Sequence, residues 1–380
     1  MTPILSILIP TKDRYSCLIP VIRSLVGHFK NLSYEIVVQD NTEDNKIFLE
    51  FIEEYDSEPI KYFHIKNQIS MSENCNQSVL NALGEYLILI GDDDYVFPSI
   101  MESIDWMRVN GIEALNNSFM VYQWQGVETK TIIRHVPDET YILKKGLTYS
   151  YKFFDTKKTL KEVITQGGSS GPVNMPRLYH GLVKKEALLR LYKTCGTFFP
   201  GASPDIAVAT GLACHIDRHA HYDGVFSIAG ASKTSNTGLS TVKENVGQLE
   251  DIKFLDKNYI DQWDSRIPKV WAVSTIWPQS MIQSLNDCKH TTEINLAKYY
   301  AFLLAISYAF SPKIVKKITK EKIKEKKSFV FTLKVFYYYC LAWKTRFYNL
   351  FTVKHLFYNN VKNIGETYEL TQKNINKNVI

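Results

Sequence analysis

The stretch Tyr86–Pro98, YLILIGDDDYVFP, is the part of the sequence that best predicts the fold. Its first five residues, Tyr86–Ile90, are apolar or aromatic, and they lead into Gly91 and three successive aspartates. A short apolar run bounded by turn residues predicts a buried strand. Carboxylates crowded after such a strand repel one another unless a cation lies among them, and such oxygen ligands suit Mg²⁺ or Mn²⁺. A solvated acidic turn that begins the next helix fits the same residues.

Strands and helices alternate before this stretch. Apolar runs predict strands at Ile4–Pro10, Tyr34–Gln39 and Ile60–Ile65, and helical spacing predicts a further helix near Asn74–Leu83, ending at Gly84 in a left-handed cap. This alternation is typical of a doubly wound, mostly parallel α/β sheet whose strands end in polar loops at one edge, where ligands bind. No GxGxxG follows the first strand and no GxxxxGK[ST] occurs, so neither a dinucleotide fold nor a P-loop is supported.

The composition indicates a folded protein with one large domain and an appendage, or two domains: 45% of the 380 residues are hydrophobic and 22% are charged. We predict an α/β domain over residues 1–240 and a helical, basic, aromatic-rich domain over residues 241–380. Six widely spaced cysteines without a CxxC pair argue against a zinc site or a disulfide framework. The sequence shows no signal-peptide pattern and no apolar run of the ~18 residues that span a bilayer, so we expect a cytoplasmic protein.

The net charge of +6 is unevenly distributed. Residues 311–380 hold 15 Lys and Arg against 4 Asp and Glu, or +11, which leaves 30 against 35, or −5, for the first 310 residues. This asymmetry predicts an anionic partner for the basic end. The segment 311–358 combines lysines with Phe, Tyr and Trp, so it fits peripheral contact with the inner face of the plasma membrane, and it equally fits a packing or homo-oligomer surface. No nucleic-acid recognition fold accompanies the charge.

A second acidic group lies far along the chain. Ser203, Pro204 and Asp205 have the residue types of a helix N-cap, first position and first turn. The helix dipole favours an ionised carboxylate at Asp205, which suits a general base, although aspartate is also common in first turns for capping alone. Weaker candidates for metal or phosphate contact are His180, His215, His219, His221, Ser232 and Ser235; the histidines do not have a standard zinc spacing.

Five blocks of the sequence together resemble the GT-A glycosyltransferases of family 2. The resemblance extends over about residues 2–240, and its blocks are Ser6–Arg14 (SILIPTKDR), Glu35–Thr42 (EIVVQDNT), Asn67 to Asn74, Gly84–Pro98 and Ser203–Asp205. It implies a GT-A type fold, a nucleotide-sugar donor and an inverting transfer. Two departures bear on the diphosphate and sugar contacts: Gly91 stands where the family has the first aspartate of DxD, and Glu73 stands where it has an arginine.

The resemblance also implies roles for individual residues. Pro10 and Thr11 line the base, Asp40 accepts hydrogen bonds from the base or the ribose, and Asn67 and Asn74 lie in the donor-binding block. Asp92 lies towards the ribose, Asp93 is the ligand of Mn²⁺ or Mg²⁺, and Asp205 is the catalytic base.

We therefore expect an inverting glycosyltransferase that uses a UDP-sugar. The implied acceptor is a hydroxyl of a glycan or a lipid-linked oligosaccharide, in the synthesis of a polysaccharide such as a capsule or O-antigen. Two alternatives stay open: a catalytically silent nucleotide-sugar-binding or scaffold subunit, and a sugar-phosphate nucleotidyltransferase. The latter requires a Gly-rich, basic loop after the first strand, where this chain has TKDR.

Overall fold

The computed structural model of the chain describes residues 2–55, 59–130, 135–168, 171–235, 246–252, 255, 257–291, 293–306, 312–352 and 354–378. The strands are β1 (Leu5–Thr11), β2 (Tyr34–Asp40), β3 (Ile60–His64), β4 (Tyr86–Leu89), β5 (Tyr95–Val96), β6 (Ala114–Asn117), β7 (Val121–Gln123), β8 (Thr129–Lys130), β9 (His135–Val136), β10 (Thr140–Lys144), β11 (Tyr151–Asp155), β12 (Gly181–Lys184), β13 (Arg218–Tyr222), β14 (Ser227–Ala231) and β15 (His355–Tyr358). The helices are α1 (Tyr15–His28), α2 (Lys46–Ile52), α3 (Met71–Leu80), α4 (Ile100–Asn110), α5 (Thr156–Thr165), α6 (Lys185–Cys195), α7 (Pro204–His215), α8 (Lys257–Asp261), α9 (Val273–Asp287), α10 (Leu296–Ala305), α11 (Lys313–Glu325), α12 (Phe329–Thr352) and α13 (Glu366–Asn378).

A mixed sheet of eight strands forms the centre of the fold, in the order β11-β13-β6-β12-β4-β1-β2-β3. β1 pairs in parallel with both β2 and β4, and β2 pairs in parallel with β3. These strands are apolar and buried because helices cover both faces of a sheet of this kind. The predicted α/β class is therefore confirmed, and the parallel half of the sheet brings the ends of β1, β2 and β4 to one edge.

Two local predictions are wrong. The helix predicted near Asn74–Leu83 is α3, which begins and ends earlier, and its C-terminal residue is followed by Asn81 in a right-handed conformation. Gly84 does not provide a left-handed cap. Glycine is needed at position 84 for another reason. A Cβ there would lie 2.7 Å from the backbone nitrogen of Ser6, so only glycine lets the chain pass this close to β1.

In the described ranges of the C-terminal part, the helices α8 to α12 follow one another, and the chain then returns to the N-terminal part. β15 pairs antiparallel with β10 in a second, five-stranded sheet, and Val361 and Ile364 lie in the same core cluster as β1 and α1. The hydroxyl of Tyr122 donates a hydrogen bond to the carbonyl of Val361 at 2.8 Å. The boundary predicted at residue 240 stays a prediction, but residues 355–364 pack on the N-terminal part. Within the described ranges, none of the helices has the length and apolar character that crossing a bilayer requires.

Candidate active site

The candidate site lies at the edge of the sheet where β1, β2 and β4 end. Pro10 and Thr11 end β1, Asp40 ends β2, and Asp92 and Asp93 follow β4 after one short turn. Carboxyl ends of adjacent parallel strands form the ligand-binding edge in open α/β sheets. The predicted residues of the first, second and fourth blocks are thus brought together at one edge.

Arg14 connects the first two aspartates of the triplet. Its Nη1 lies 2.7 Å from Asp92 Oδ1, and its Nη2 lies 2.8 Å from Asp93 Oδ2. The Thr11 hydroxyl donates to Asp92 Oδ2 at 2.7 Å. Ser232 donates to Asp93 Oδ2 through its backbone N–H at 3.1 Å and its hydroxyl at 2.7 Å, and this hydroxyl accepts from Arg14 Nη2 at 2.6 Å. One guanidinium therefore pairs with two buried carboxylates.

The electrostatic balance of this pair favours a further cation. Burial raises the pKa of Asp92 above its usual range, and the charge of Asp93 adds to the rise. Burial likewise raises the pKa of Asp93, with a contribution from the charge of Asp94. Arg14 lowers the pKa of both carboxyls, but its single charge faces two carboxylates. An additional positive charge would therefore stabilise the doubly ionised pair.

Asp94 is bound on all sides by protein groups. Its Oδ2 accepts hydrogen bonds from the Gly91 N–H at 2.6 Å and the Tyr179 hydroxyl at 2.8 Å, and lies 3.1 Å from His180 Nε2. Its Oδ1 accepts from the Gly230 N–H at 2.7 Å. Burial raises the pKa of Asp94, but His180 and these hydrogen bonds outweigh burial, so the pKa lies below its usual range. Asp94 thus joins three segments of the chain.

Two glycines allow the triplet to take this arrangement. A Cβ at Gly91 would lie 3.0 Å from Asp94 Oδ2 and 3.2 Å from Asp93 Oδ1. A Cβ at Gly230 would lie 1.8 Å from the carbonyl oxygen of Asp93. A side chain at position 91 would therefore displace the carboxyls behind it, which gives the shifted GDDD form a steric reason.

Asp40 is completely buried at the end of β2. Its Oδ2 accepts hydrogen bonds from the hydroxyls of Tyr15 at 2.5 Å and Tyr62 at 2.9 Å, and its Oδ1 accepts from the Thr42 N–H at 2.8 Å. A carboxylate oxygen accepts two hydrogen bonds, so Oδ1 has capacity for one more donor, and because Asp40 is completely buried a ligand reaches it only when a neighbouring side chain moves. Nothing in the sequence indicates the two tyrosines, because they come from α1 and β3.

Asn74 has a structural contact that the resemblance does not imply. Its side-chain amide donates to the carbonyls of Thr11 and Gln39, both at 3.2 Å, and so ties the end of β1 to the end of β2. Its Oδ1 is buried and has no hydrogen-bond partner among the described residues. Asn67 is exposed in the loop after β3. The donor contacts predicted for Asn67 and Asn74 stay predictions.

Asp205 lies half-buried in the first turn of α7, with Ser203 at the N-cap and Pro204 at the first position, as predicted. The Ser203 hydroxyl donates to Asp205 Oδ1 at 2.5 Å, and the Ile206 N–H donates to the same oxygen at 2.8 Å. Burial raises the pKa of Asp205, and hydrogen bonds from Ser203, from the backbone and from Trp277 partly offset the rise. Trp277 comes from α9, so the C-terminal helices contribute to this site, which the sequence does not indicate.

Tyr179 contacts the aspartate triplet, and the charge of Asp205 adds to the shift of its pKa. Its hydroxyl donates to Asp94 at 2.8 Å. Its pKa is raised well above the ordinary value by burial and then by the charges of Asp94, Asp93 and Asp205. The loop before α7 is also tied to this edge of the sheet through α3: the Ser72 hydroxyl donates to the Gly201 carbonyl at 2.6 Å, and Asn74 donates to the carbonyls of Thr11 and Gln39.

Among the other residues predicted to contact metal or phosphate, His219 and Ser232 have different surroundings. His219 has both ring nitrogens in hydrogen bonds, to Thr156 Oγ1 at 2.8 Å and to the Asn174 carbonyl at 2.7 Å. Ser232 lies in the site, against Asp93. In the part of the chain that the structure describes, no three His, Cys, Asp or Glu side chains are grouped so as to hold a metal ion. Asp92 and Asp93 are the carboxylates that would hold a divalent cation, because Mg²⁺ typically takes one or two carboxylates and leaves its other positions to phosphates and water, and Arg14 contacts both of them in this structure.

Residues 6–168 match the family model described as Glycosyl transferase family 2. The match covers less than half of the 380 residues, and over residues 6–168 it confirms the predicted resemblance. No curated protein matches the chain.

Three crystal structures of TarS from S. aureus are weakly similar to the chain. TarS 1-349 in complex with UDP-GlcNAc has 16% identity and a TM-score of 0.42, over 61% of this chain and 60% of that chain. The complex with UDP has 17% identity and a TM-score of 0.41, over 63% and 62%. TarS 1-349 alone has 14% identity and a TM-score of 0.42, over 91% of each chain. The chain thus spans about 60% of the first of these, and likeness of this degree adds nothing about its chemistry.

Proposed function

We propose that this glycosyltransferase, whose residues 6–168 match family 2, moves a sugar from a UDP-sugar to a hydroxyl of a glycan or lipid-linked oligosaccharide, with inversion. The observation that carries the proposal is the buried pair Asp92 and Asp93 at the edge where β1, β2 and β4 end, with α3 linking this edge to the loop before Asp205 through Ser72 and Asn74. Inverting transfer requires charge compensation at the departing diphosphate and a carboxylate that takes the acceptor's proton. The product we propose is a polysaccharide such as a capsule or O-antigen.

The donor base is read by Asp40 in this proposal. A carboxylate accepts hydrogen bonds and cannot donate them. On their base-pairing edge, uracil and guanine carry a ring N–H, whereas cytosine and adenine carry an acceptor nitrogen at the corresponding position. The remaining acceptor capacity of Asp40 Oδ1 therefore favours uracil and guanine. Between these two, the resemblance to family 2 favours the uridine nucleotide.

The diphosphate is placed beside Asp93 in this proposal, with Asp92 towards the ribose. A Mn²⁺ or Mg²⁺ ion held by Asp93 would compensate the negative charge that develops on the departing diphosphate. The chain's own contribution is Arg14, which lies against both carboxylates, and the buried hydroxyl of Ser232.

Asp205 is the proposed base. It takes the proton of the acceptor hydroxyl while that oxygen attacks the anomeric carbon, so the O–H bond breaks, the new glycosidic bond forms, and the bond to the diphosphate breaks. Its Oδ1 is held in place by the Ser203 hydroxyl and the Ile206 N–H. A pKa raised by burial makes Asp205 a stronger base than an exposed aspartate.

The experiment is a transfer and donor-hydrolysis assay with a panel of UDP- and GDP-sugars, on the wild type and on Asp205→Asn. Asp217→Asn is the matched control because Asp217 is an exposed aspartate shortly after the same helix. We expect Asp205→Asn to lose about 10²–10⁴-fold in turnover with unchanged UDP affinity, and the control to lose nothing. Turnover of Asp205→Asn within about threefold of the wild type would contradict the assignment. UDP binding without any turnover in the wild type would favour the silent subunit.

The basic C-terminal part presents an apolar surface for which we propose an anionic membrane as the partner. On α12, the side chains of Phe329 and Phe336 are 78% and 65% exposed, and Leu333, Tyr337 and Phe347 are exposed as well. The opposite side of α12 packs on α10 through Val335 and its neighbours. Large apolar side chains at this density on one helix are typical of an interaction surface.

Charge favours a lipid surface over a second copy of the chain. From residue 326 to residue 365 the sequence has seven Lys and Arg and no Asp or Glu. Two copies would bring like charges together, whereas each Lys or Arg near an anionic bilayer contributes about 1 kcal/mol of attraction. An interfacial helix with its apolar side in the acyl boundary fits this pattern.

Vesicle sedimentation tests this surface. We expect the wild type to bind vesicles of phosphatidylcholine with phosphatidylglycerol, not phosphatidylcholine alone, and to be released by salt. The double variant Phe329→Ser/Phe336→Ser should lose binding, whereas the exposed Val109→Ser on α4 should not. Absence of vesicle binding, together with a dimer in light scattering that the double variant dissociates, would assign the surface to a second copy.

A further inference from the structure

The loop between β1 and α1 holds Arg14 at a fixed backbone position. Asp13 adopts a left-handed conformation with φ of 57°, and its N–H donates to Thr42 Oγ1 at 2.8 Å. The carbonyl of Arg14 accepts hydrogen bonds from the N–H groups of Cys17 and Leu18 in the first turn of α1. The Cα of Arg14 is therefore anchored, and a change in the position of its guanidinium can come from side-chain rotation alone.

The guanidinium lies at the place where a cation would contact the aspartate pair. It bridges Asp92 Oδ1 at 2.7 Å and Asp93 Oδ2 at 2.8 Å. Asp93 Oδ2 already accepts from the N–H and the hydroxyl of Ser232 besides Arg14 Nη2, so a divalent ion that bound this oxygen would displace one of the three, and Arg14 is the one whose positive charge repels it. Arg14 and a metal ion therefore compete for Asp93.

Exposure shows the direction from which a ligand arrives. The side chain of Arg14 is 19% exposed, whereas those of Asp92 and Asp93 are 1% and 4% exposed. A ligand that enters from solvent meets the guanidinium before the carboxylates. The guanidinium also attracts phosphate, to which arginine binds with two parallel N–H donors.

We propose that Arg14 is an exchangeable cation of the donor site: it neutralises Asp92 and Asp93 before the donor binds, and it moves from Asp93 to the diphosphate when the metal–nucleotide complex enters. The exchange rests on the proposed donor site and adds an order of events to it. The free site holds a divalent ion weakly because Arg14 occupies it. The nucleotide strengthens metal binding because its phosphates provide a new partner for the guanidinium.

Calorimetry tests the exchange by measuring the affinity for Mn²⁺, without nucleotide, of the wild type, Arg14→Gln and Arg14→Lys. Arg23→Gln is the matched control, since Arg23 is an exposed arginine on α1 that pairs with Glu54 at 3.3 Å. We expect Arg14→Gln to bind Mn²⁺ at least about tenfold tighter than the wild type. A positive charge this close to a carboxylate typically changes the affinity of that carboxylate for another cation by about tenfold. Arg14→Lys should lie between the two, and the control should equal the wild type.

A second readout does not depend on calorimetry or on turnover. Arg14→Gln should unfold at a lower temperature than the wild type because two buried carboxylates lose their partner, and Mn²⁺ should restore much of the loss. If Arg14→Gln does not fold, Arg14→Lys, which has a single ammonium group, must still bind Mn²⁺ more tightly than the wild type. Mn²⁺ affinity of either variant equal to that of the wild type would overturn the exchange. Tighter Mn²⁺ binding by Arg14→Gln in a protein that binds no nucleoside diphosphate would keep the competition and overturn the proposed donor.

Discussion

Asp94 provides the sharpest contrast within the triplet, because its contacts are all with the protein. Asp94→Ala would remove hydrogen bonds from Gly91, Tyr179 and Gly230 and the pair with His180, all at 2.6–3.1 Å. Removing a buried acceptor typically costs about 1–3 kcal/mol for each donor left without a partner, and three donors lose their acceptor here. We therefore expect Asp94→Ala to lower the free energy of unfolding by about 3–5 kcal/mol.

Urea unfolding followed by tryptophan fluorescence measures this loss. Asp105→Ala on the exposed side of α4 is the control, for which we expect a change within about 0.5 kcal/mol. The folded pKa of Asp94 lies below the unfolded value, so its contribution is fully present above pH ~4 and is lost as pH falls through the folded pKa. The difference between wild type and Asp94→Ala should accordingly shrink in acid. A loss below about 1 kcal/mol at pH 7, or one that does not change with pH, would refute the structural role.

Three further predictions concern the donor base, the catalytic base and the cysteines. Asp40→Asn should lower the preference for UDP over CDP by about tenfold in competition titrations, since an amide both donates and accepts; an unchanged ratio would exclude Asp40 from base recognition. Turnover should fall as pH decreases through the raised pKa of Asp205, at a higher pH than for an ordinary aspartate, and a rate profile flat down to pH 4 would contradict this. Burial raises the pKa of Cys195 to about 12, so alkylation by iodoacetamide at pH 8 should modify the exposed Cys340 first; faster modification of Cys195 in peptide mapping would contradict its burial.

The sequence predicts those parts of the fold whose signals are local. β1, β2 and β4 are short apolar runs with polar ends, and the start of α7 at Pro204 has the residue types of a helix N-terminus. Both acidic groups of the site could be found for the same reason, since each lies at the end of such an element. The link between the two regions through Ser72 and Asn74 of α3 follows from packing and has no local signal.

Contacts between distant segments are what the sequence does not predict. Arg14 reaches Ser232, 218 positions away, and β15 pairs with β10 across the whole C-terminal part. Three cysteines that are far apart in sequence meet between α6, α7 and α9: the sulfurs of Cys195 and Cys288 lie 3.3 Å apart, and Cys288 contacts Cys214 as well. Spacing along the chain indicates no such cluster, because the three helices approach one another only through the core.

We propose above all that the edge beside Asp93 binds a nucleoside diphosphate together with a divalent cation. Calorimetric titration of UDP, with and without Mn²⁺, on the wild type and on Asp93→Ala tests it most directly, with GDP as the competing nucleotide. We expect UDP binding that Mn²⁺ strengthens and that Asp93→Ala loses. Absence of binding for both nucleotides under every metal condition, in a folded wild type, would contradict it.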